Sequence, residues 1–83
     1  MLNLEQRTLT LEKPISFGQE PITELHFREP GGREVSMLKK EMEPADFLRI
    51  GLFLADKPER FVNLLTKKDA FEVLEITSFL LAS

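Results

Sequence analysis

His26, a Pro-Gly-Gly turn at residues 30–32 and two close glutamate pairs are the groups of this chain whose chemistry could make a site. An imidazole titrates near neutral pH and could serve as a general acid or base. On a strand, His26 alternates with Glu24 and Arg28 on the polar face, as a solvated surface histidine does. Catalysis would also need a nucleophile or a second acid–base group beside it. Ser16, Ser36, Thr23 and Asp46 stand in no motif that supplies one. The stretch "PGGREVSML" fits neither the G-x-G-x-x-G nor the G-x-x-x-x-G-K-S/T phosphate loop. Its glycines are expected to turn the chain through positive φ, as a joint between two halves.

Glu41 with Glu43, and Glu72 with Glu75, lack the partners of a calcium loop or an H-E-x-x-H site. Glu72 and Glu75, three apart, mark the wet stripe of a helix. The chain has no Cys, Tyr or Trp. Disulfides and thiolate metal sites are therefore excluded, along with common hydrogen-bonding anchors of small-molecule pockets. No catalytic, cofactor-binding or metal-binding residue is assigned, and an enzyme is not expected.

The elements around these residues read as two halves. "TLTLEKPISF" places Leu9, Leu11, Ile15 and Phe17 on one parity, the period of a half-buried strand. Pro14 marks it as an edge strand or one broken near its end. "GQEP" (residues 18–21) supplies the turn, and Thr23, Leu25 and Phe27 then alternate against Glu24, His26 and Arg28. The expected hairpin covers about residues 7–29. From Arg33, the residues Val35, Leu38 and Met42 fall at helical spacing. Pro44 suits the first turn of a second helix with Asp46 near its N-terminus. That helix carries Phe47, Ile50, Gly51 and Leu54 on one stripe, with Leu48, Leu52, Phe53 and Ala55 over much of the rest. Pro58 opens a third helix with Phe61, Leu64 and Leu65. "TKKD" (residues 66–69) matches a capping pattern ahead of a last helix from about Lys67 to the end. The fold class is α+β: one domain over residues 1–83, a β-hairpin followed by three or four short packed helices at about 33–82.

Composition narrows the function. A domain of 83 residues is marginal in stability, and self-association or a partner is the remaining way to reinforce it. A net charge of −3 gives no electrostatic footprint for nucleic acid. "FLRIGLFLADKPERFVNLL" imitates a helix-turn-helix, but its second helix carries only Arg60 among basic groups. The start "MLNLEQR" lacks a basic, then apolar, secretory leader, and the longest apolar run is far short of a membrane span. A soluble, intracellular protein is expected. The uncharged ending "ITSFLLAS" and Phe53, opposite the main stripe of its helix, suggest surfaces that need a cover.

The order "LTLEKPISF", "PITELHFREPGGRE", a leucine-rich helix, "DKPERFVNLLTKKD" and a terminal apolar helix resembles the small tail assembly chaperones of Mu-like and related contractile-tailed bacteriophages. The resemblance spans nearly the whole chain and is most distinctive over residues 21–30. It implies a non-enzymatic chaperone in the cytoplasm of the bacterial host, absent from the finished virion. Such a protein binds the tape measure protein, keeps it soluble and helps tail tube subunits assemble around it. Some family members are made in two lengths by ribosomal frameshifting, and the apolar ending here would suit the short product. On this reading Leu52, Phe53, Ile76, Phe79 and Leu80 are presented to the client as in helix-in-groove recognition. Truncation after Thr77 is then expected to abolish client binding. Rival readings are self-association through the same surfaces, a structural tail or capsid adaptor, and a small DNA-binding regulator.

Overall fold

A computed structural model describes residues 1–82. It is an α+β domain in which a three-stranded antiparallel sheet precedes the helices. The strands are β1 (Leu2–Asn3), β2 (Thr8–Phe17) and β3 (Glu20–His26), in the order β1-β2-β3. After them come α1 (Gly32–Val35), α2 (Pro44–Leu54), a 3-10 helix (Glu59–Leu64) and α3 (Lys67–Ala82).

The hairpin forms where alternation placed it, with two corrections. The loop is only Gly18-Gln19, because Phe17 pairs with Glu20 and Ser16 with Pro21. Gly18 takes φ +73°, which a two-residue hairpin loop requires at its first position. Pro21 is thus a strand residue, tolerated because β3 lies at the sheet edge. The second correction concerns β2, which is central rather than an edge, with the short β1 pairing Leu2 to Leu9. Pro14 is accommodated in a bulge: pairing passes from Thr10↔Glu24 to Ile15↔Ile22, so four residues of β2 face Thr23 alone. Ile22 consequently shares the core side with Ile15, and Thr23 is exposed instead of joining Leu25 and Phe27.

The bulge leaves the Glu12 N–H without a ladder partner. Both carboxylate oxygens of Asp69 accept it, each at 3.0 Å, from the first turn of α3. Asp69 is fully buried. Its own N–H donates to Thr66 Oγ1 at 3.1 Å, so half of the expected capping pattern forms while the carboxylate serves the sheet.

Leu9, Leu11, Ile15, Leu25 and Phe27 of the hairpin meet Ile50, Leu52, Leu54, Phe61, Val73, Ile76 and Leu80 in one core. Phe61 packs edge-on to Phe17 at 5.2 Å between ring centres. Between α2 and α3 the approach is close at Gly51. A Cβ there would lie 2.3 Å from Thr77 Oγ1 and 2.8 Å from Val73 Cγ1. Thr77 Oγ1 donates to the Val73 carbonyl at 2.7 Å, which keeps this buried hydroxyl satisfied beside the glycine.

One helical expectation fails. The spacing of Val35, Leu38 and Met42 does not produce a helix beyond Val35: the first two side chains are exposed and only Met42 is half-buried. A stripe without a facing surface has nothing to stabilise it. The helix expected from Pro58 forms, as a 3-10 helix over Glu59–Leu64. Helix α2 ends in a Schellman motif, with Lys57 N–H donating to Leu52 O at 2.8 Å and Asp56 N–H to Phe53 O at 3.1 Å. Asp56 holds the left-handed position at φ +58°, where glycine is usual.

Candidate interaction surface

The segment "REPGGRE" is a charged joint. Arg28 takes the C-terminal carbonyls of α2: its N–H donates to Leu54 O at 3.0 Å and Nη2 to Phe53 O at 3.2 Å. A cation there also complements the negative end of the helix. Nη1 reaches Glu34 Oε1 at 3.1 Å, and Glu34 is almost fully buried. The same Oε1 accepts the Gly31 N–H at 2.8 Å. That backbone bond, and then Arg28, hold the Glu34 carboxyl below its ordinary pKa. Gly31 is extended, at φ −109°, so the expected positive φ is absent; the Glu34 carboxylate holds the chain in its place. Gly18 is the one glycine with positive φ among the described residues.

A second latch closes the far end of this segment. Asp46 accepts from the Glu43 N–H at 3.0 Å, Lys39 Nζ at 3.2 Å and Arg49 Nη2 at 2.9 Å. The Glu43 N–H first, and Lys39 next, lower the Asp46 pKa. Asp46 is therefore a helix-capping group. His26 stays exposed with Glu24 as its neighbour at 3.5 Å. Among the described residues, no cluster of three or more His, Cys, Asp or Glu is placed to hold a metal ion, and no helix is long and apolar enough to cross a membrane. A shallow cleft between α2 and the 3-10 helix is lined by Ala45, Leu48, Arg49, Glu59 and Val62.

Of the five residues expected to meet a partner, three are core. Leu52 and Ile76 are fully buried and Leu80 is nearly so. The correction has a simple cause: α2 is covered by α3, the 3-10 helix and the Arg28 joint, so Leu52 faces inward although it lies off the main stripe. Ile76 and Leu80 share the inward face of α3 with Val73. Phe53 is half-buried with the Arg33 guanidinium 6.0 Å from its ring centre. Phe79 is 47% exposed and remains on the surface.

Sequence reasoning missed Phe71 and Leu64, which are 59% and 46% exposed. The signal for Phe71 was available. On a helix it falls with Lys67, Lys68, Glu75 and Ser78, opposite Val73, Ile76 and Leu80. The outer face of α3 is thus an aromatic stripe, Phe71 and Phe79, set among Lys68, Glu75 and Ser78, with Leu74 half-buried beside it. Comparison of the chain with protein-family models, curated proteins and solved structures found no match.

Proposed function

We propose that this chain is a non-enzymatic phage tail assembly chaperone that binds the tape measure protein in the host cytoplasm and aids tail tube assembly. The reading rests on the resemblance to that family, which spans nearly the whole chain and is most distinctive over residues 21–30. One structural observation carries it further: α3, the longest helix, keeps Phe71 and Phe79 on its outer face. An outward aromatic stripe eight residues long is the complement of an amphipathic client helix. Covering such helices would keep a long client from aggregating while it awaits tube subunits. The net charge of −3 favours solubility of the complex.

Phe53 and Phe79 remain from the five residues first assigned to the partner, and Phe71 replaces the buried Leu52, Ile76 and Leu80. Truncation after Thr77 is no longer a clean test, since it removes Leu80 from the core along with Phe79. The test is affinity purification of the tagged chain co-expressed with its neighbouring phage genes, followed by mass spectrometry. Recovery of the tape measure protein supports the reading. Recovery of the chain alone, or its presence in purified virions as a stoichiometric component, refutes it.

A further inference from the structure

The outer face of α3 is self-complementary, and we infer that it pairs two copies of this chain through an antiparallel contact of their α3 helices. Lys68, Phe71 and Glu75 lie at i, i+3 and i+7, which places them in line on one face. All three are exposed. Neither Lys68 nor Glu75 forms an ion pair within the chain among the described residues. The two charges stand about 10 Å apart along the axis, with Phe71 near their midpoint.

A two-fold axis through that midpoint, between Phe71 and Glu72, sets Lys68 of each copy against Glu75 of the other. The two Phe71 rings then meet at the centre, flanked by two ion pairs. An isologous contact requires such a patch, in which each residue finds its complement on an identical surface. The same register carries Phe79 past the start of the other α3, toward the end that holds the exposed Leu64. A full-length antiparallel overlap, centred between Leu74 and Glu75, would bring the two Glu75 carboxylates together beside the axis. Like charges so placed repel, which selects the shorter overlap. The pairing uses the stripe assigned above to the client but does not depend on the chaperone reading: client capture tests one, and mass in solution the other.

The test is sedimentation equilibrium of the whole chain at moderate salt over roughly 1–200 µM, a range suited to a contact of this size. The wild type is expected to approach dimer mass, and Lys68→Glu or Glu75→Lys alone to weaken association by about tenfold or more, since each reversal sets two like-charge pairs in place of two ion pairs. The double variant K68E/E75K exchanges the charges and is expected to restore wild-type association. Circular dichroism of each variant checks that the monomer is folded, and exposed substitutions of this kind leave stability nearly unchanged. A monomer at every concentration overturns the inference. So does a dimer that both single reversals leave intact, or one that Glu75→Lys strengthens.

Discussion

Gly51→Ala separates two opposing effects at one atom. Within a helix interior, alanine is better than glycine by about 1 kcal/mol, so local propensity alone predicts a more stable protein. The packing predicts the reverse. The new Cβ would sit 2.3 Å from Thr77 Oγ1 and 2.8 Å from Val73 Cγ1. Carbon contacts are comfortable at about 3.5–4.0 Å, so α2 and α3 must separate by roughly 1 Å or Thr77 must rotate. Separation forfeits about a quarter to a half of the dispersion energy of each contact along the seam. Rotation breaks the 2.7 Å bond from Thr77 Oγ1 to Val73 O in a fully buried place. Overpacking of this kind costs about 1–3 kcal/mol, and the upper part of that range applies where both neighbours belong to another helix. Set against the propensity gain, the net loss is about 2 kcal/mol. For a domain of this size that is a fall in Tm of roughly 10 °C. Thermal unfolding followed by circular dichroism measures it directly. The double variant G51A/T77A should lose less than the sum of the single variants, by about 1 kcal/mol, because the closest obstructing atom is gone. A rise in Tm for Gly51→Ala, or strict additivity with Thr77→Ala, refutes the close approach of these helices.

Further predictions concern the polar ties. Asp69→Ala strands the Glu12 N–H in the bulge and is expected to lower stability by about 1–3 kcal/mol, read as a reduced urea midpoint at unchanged slope. Asp56→Gly relieves a left-handed non-glycine residue and should stabilise by about 1 kcal/mol, despite losing the exposed Arg28 neighbour at 3.7 Å. Glu34 and Asp46 both have folded pKa values below their ordinary ones, so the stability they add is present above about pH 4 and is lost as pH falls through the folded values. Tm should therefore stay level from neutrality to about pH 5 and fall in more acid solution, with Glu34→Gln less stable at pH 7 and flatter below pH 4.

The hairpin was legible because Leu9, Leu11, Leu25 and Phe27 keep strict alternation and one face must be buried. Its bulge was not, since the partner of the Glu12 N–H lies 57 residues away on another element. Pro14 signalled a break without saying what would repair it. The start of α3 was legible from Thr66 and Asp69, yet the same pattern did not disclose that the Asp69 carboxylate turns to the sheet. The run through Val35, Leu38 and Met42 had helical spacing but no surface to pack on, and periodicity alone carries no information about what it faces. Three of the five residues assigned to a partner proved to be core for a related reason. Apolar content identified α3, but only the opposition of Phe71 to Val73, Ile76 and Leu80 tells its outer face from its core face. Leu52 misled more deeply, because its burial depends on three neighbours that the sequence places nowhere in particular.

The outward stripe of α3 as the client-binding face is tested most directly by the solubility of the tape measure protein. The client would be co-expressed with the wild-type chain and with Phe71→Glu, and its soluble fraction measured after sedimentation. Phe71 is 59% exposed, so the substitution should leave the fold intact. The account predicts a soluble client with the wild type and an aggregated one with Phe71→Glu. A client kept equally soluble by both, or by neither, would contradict it.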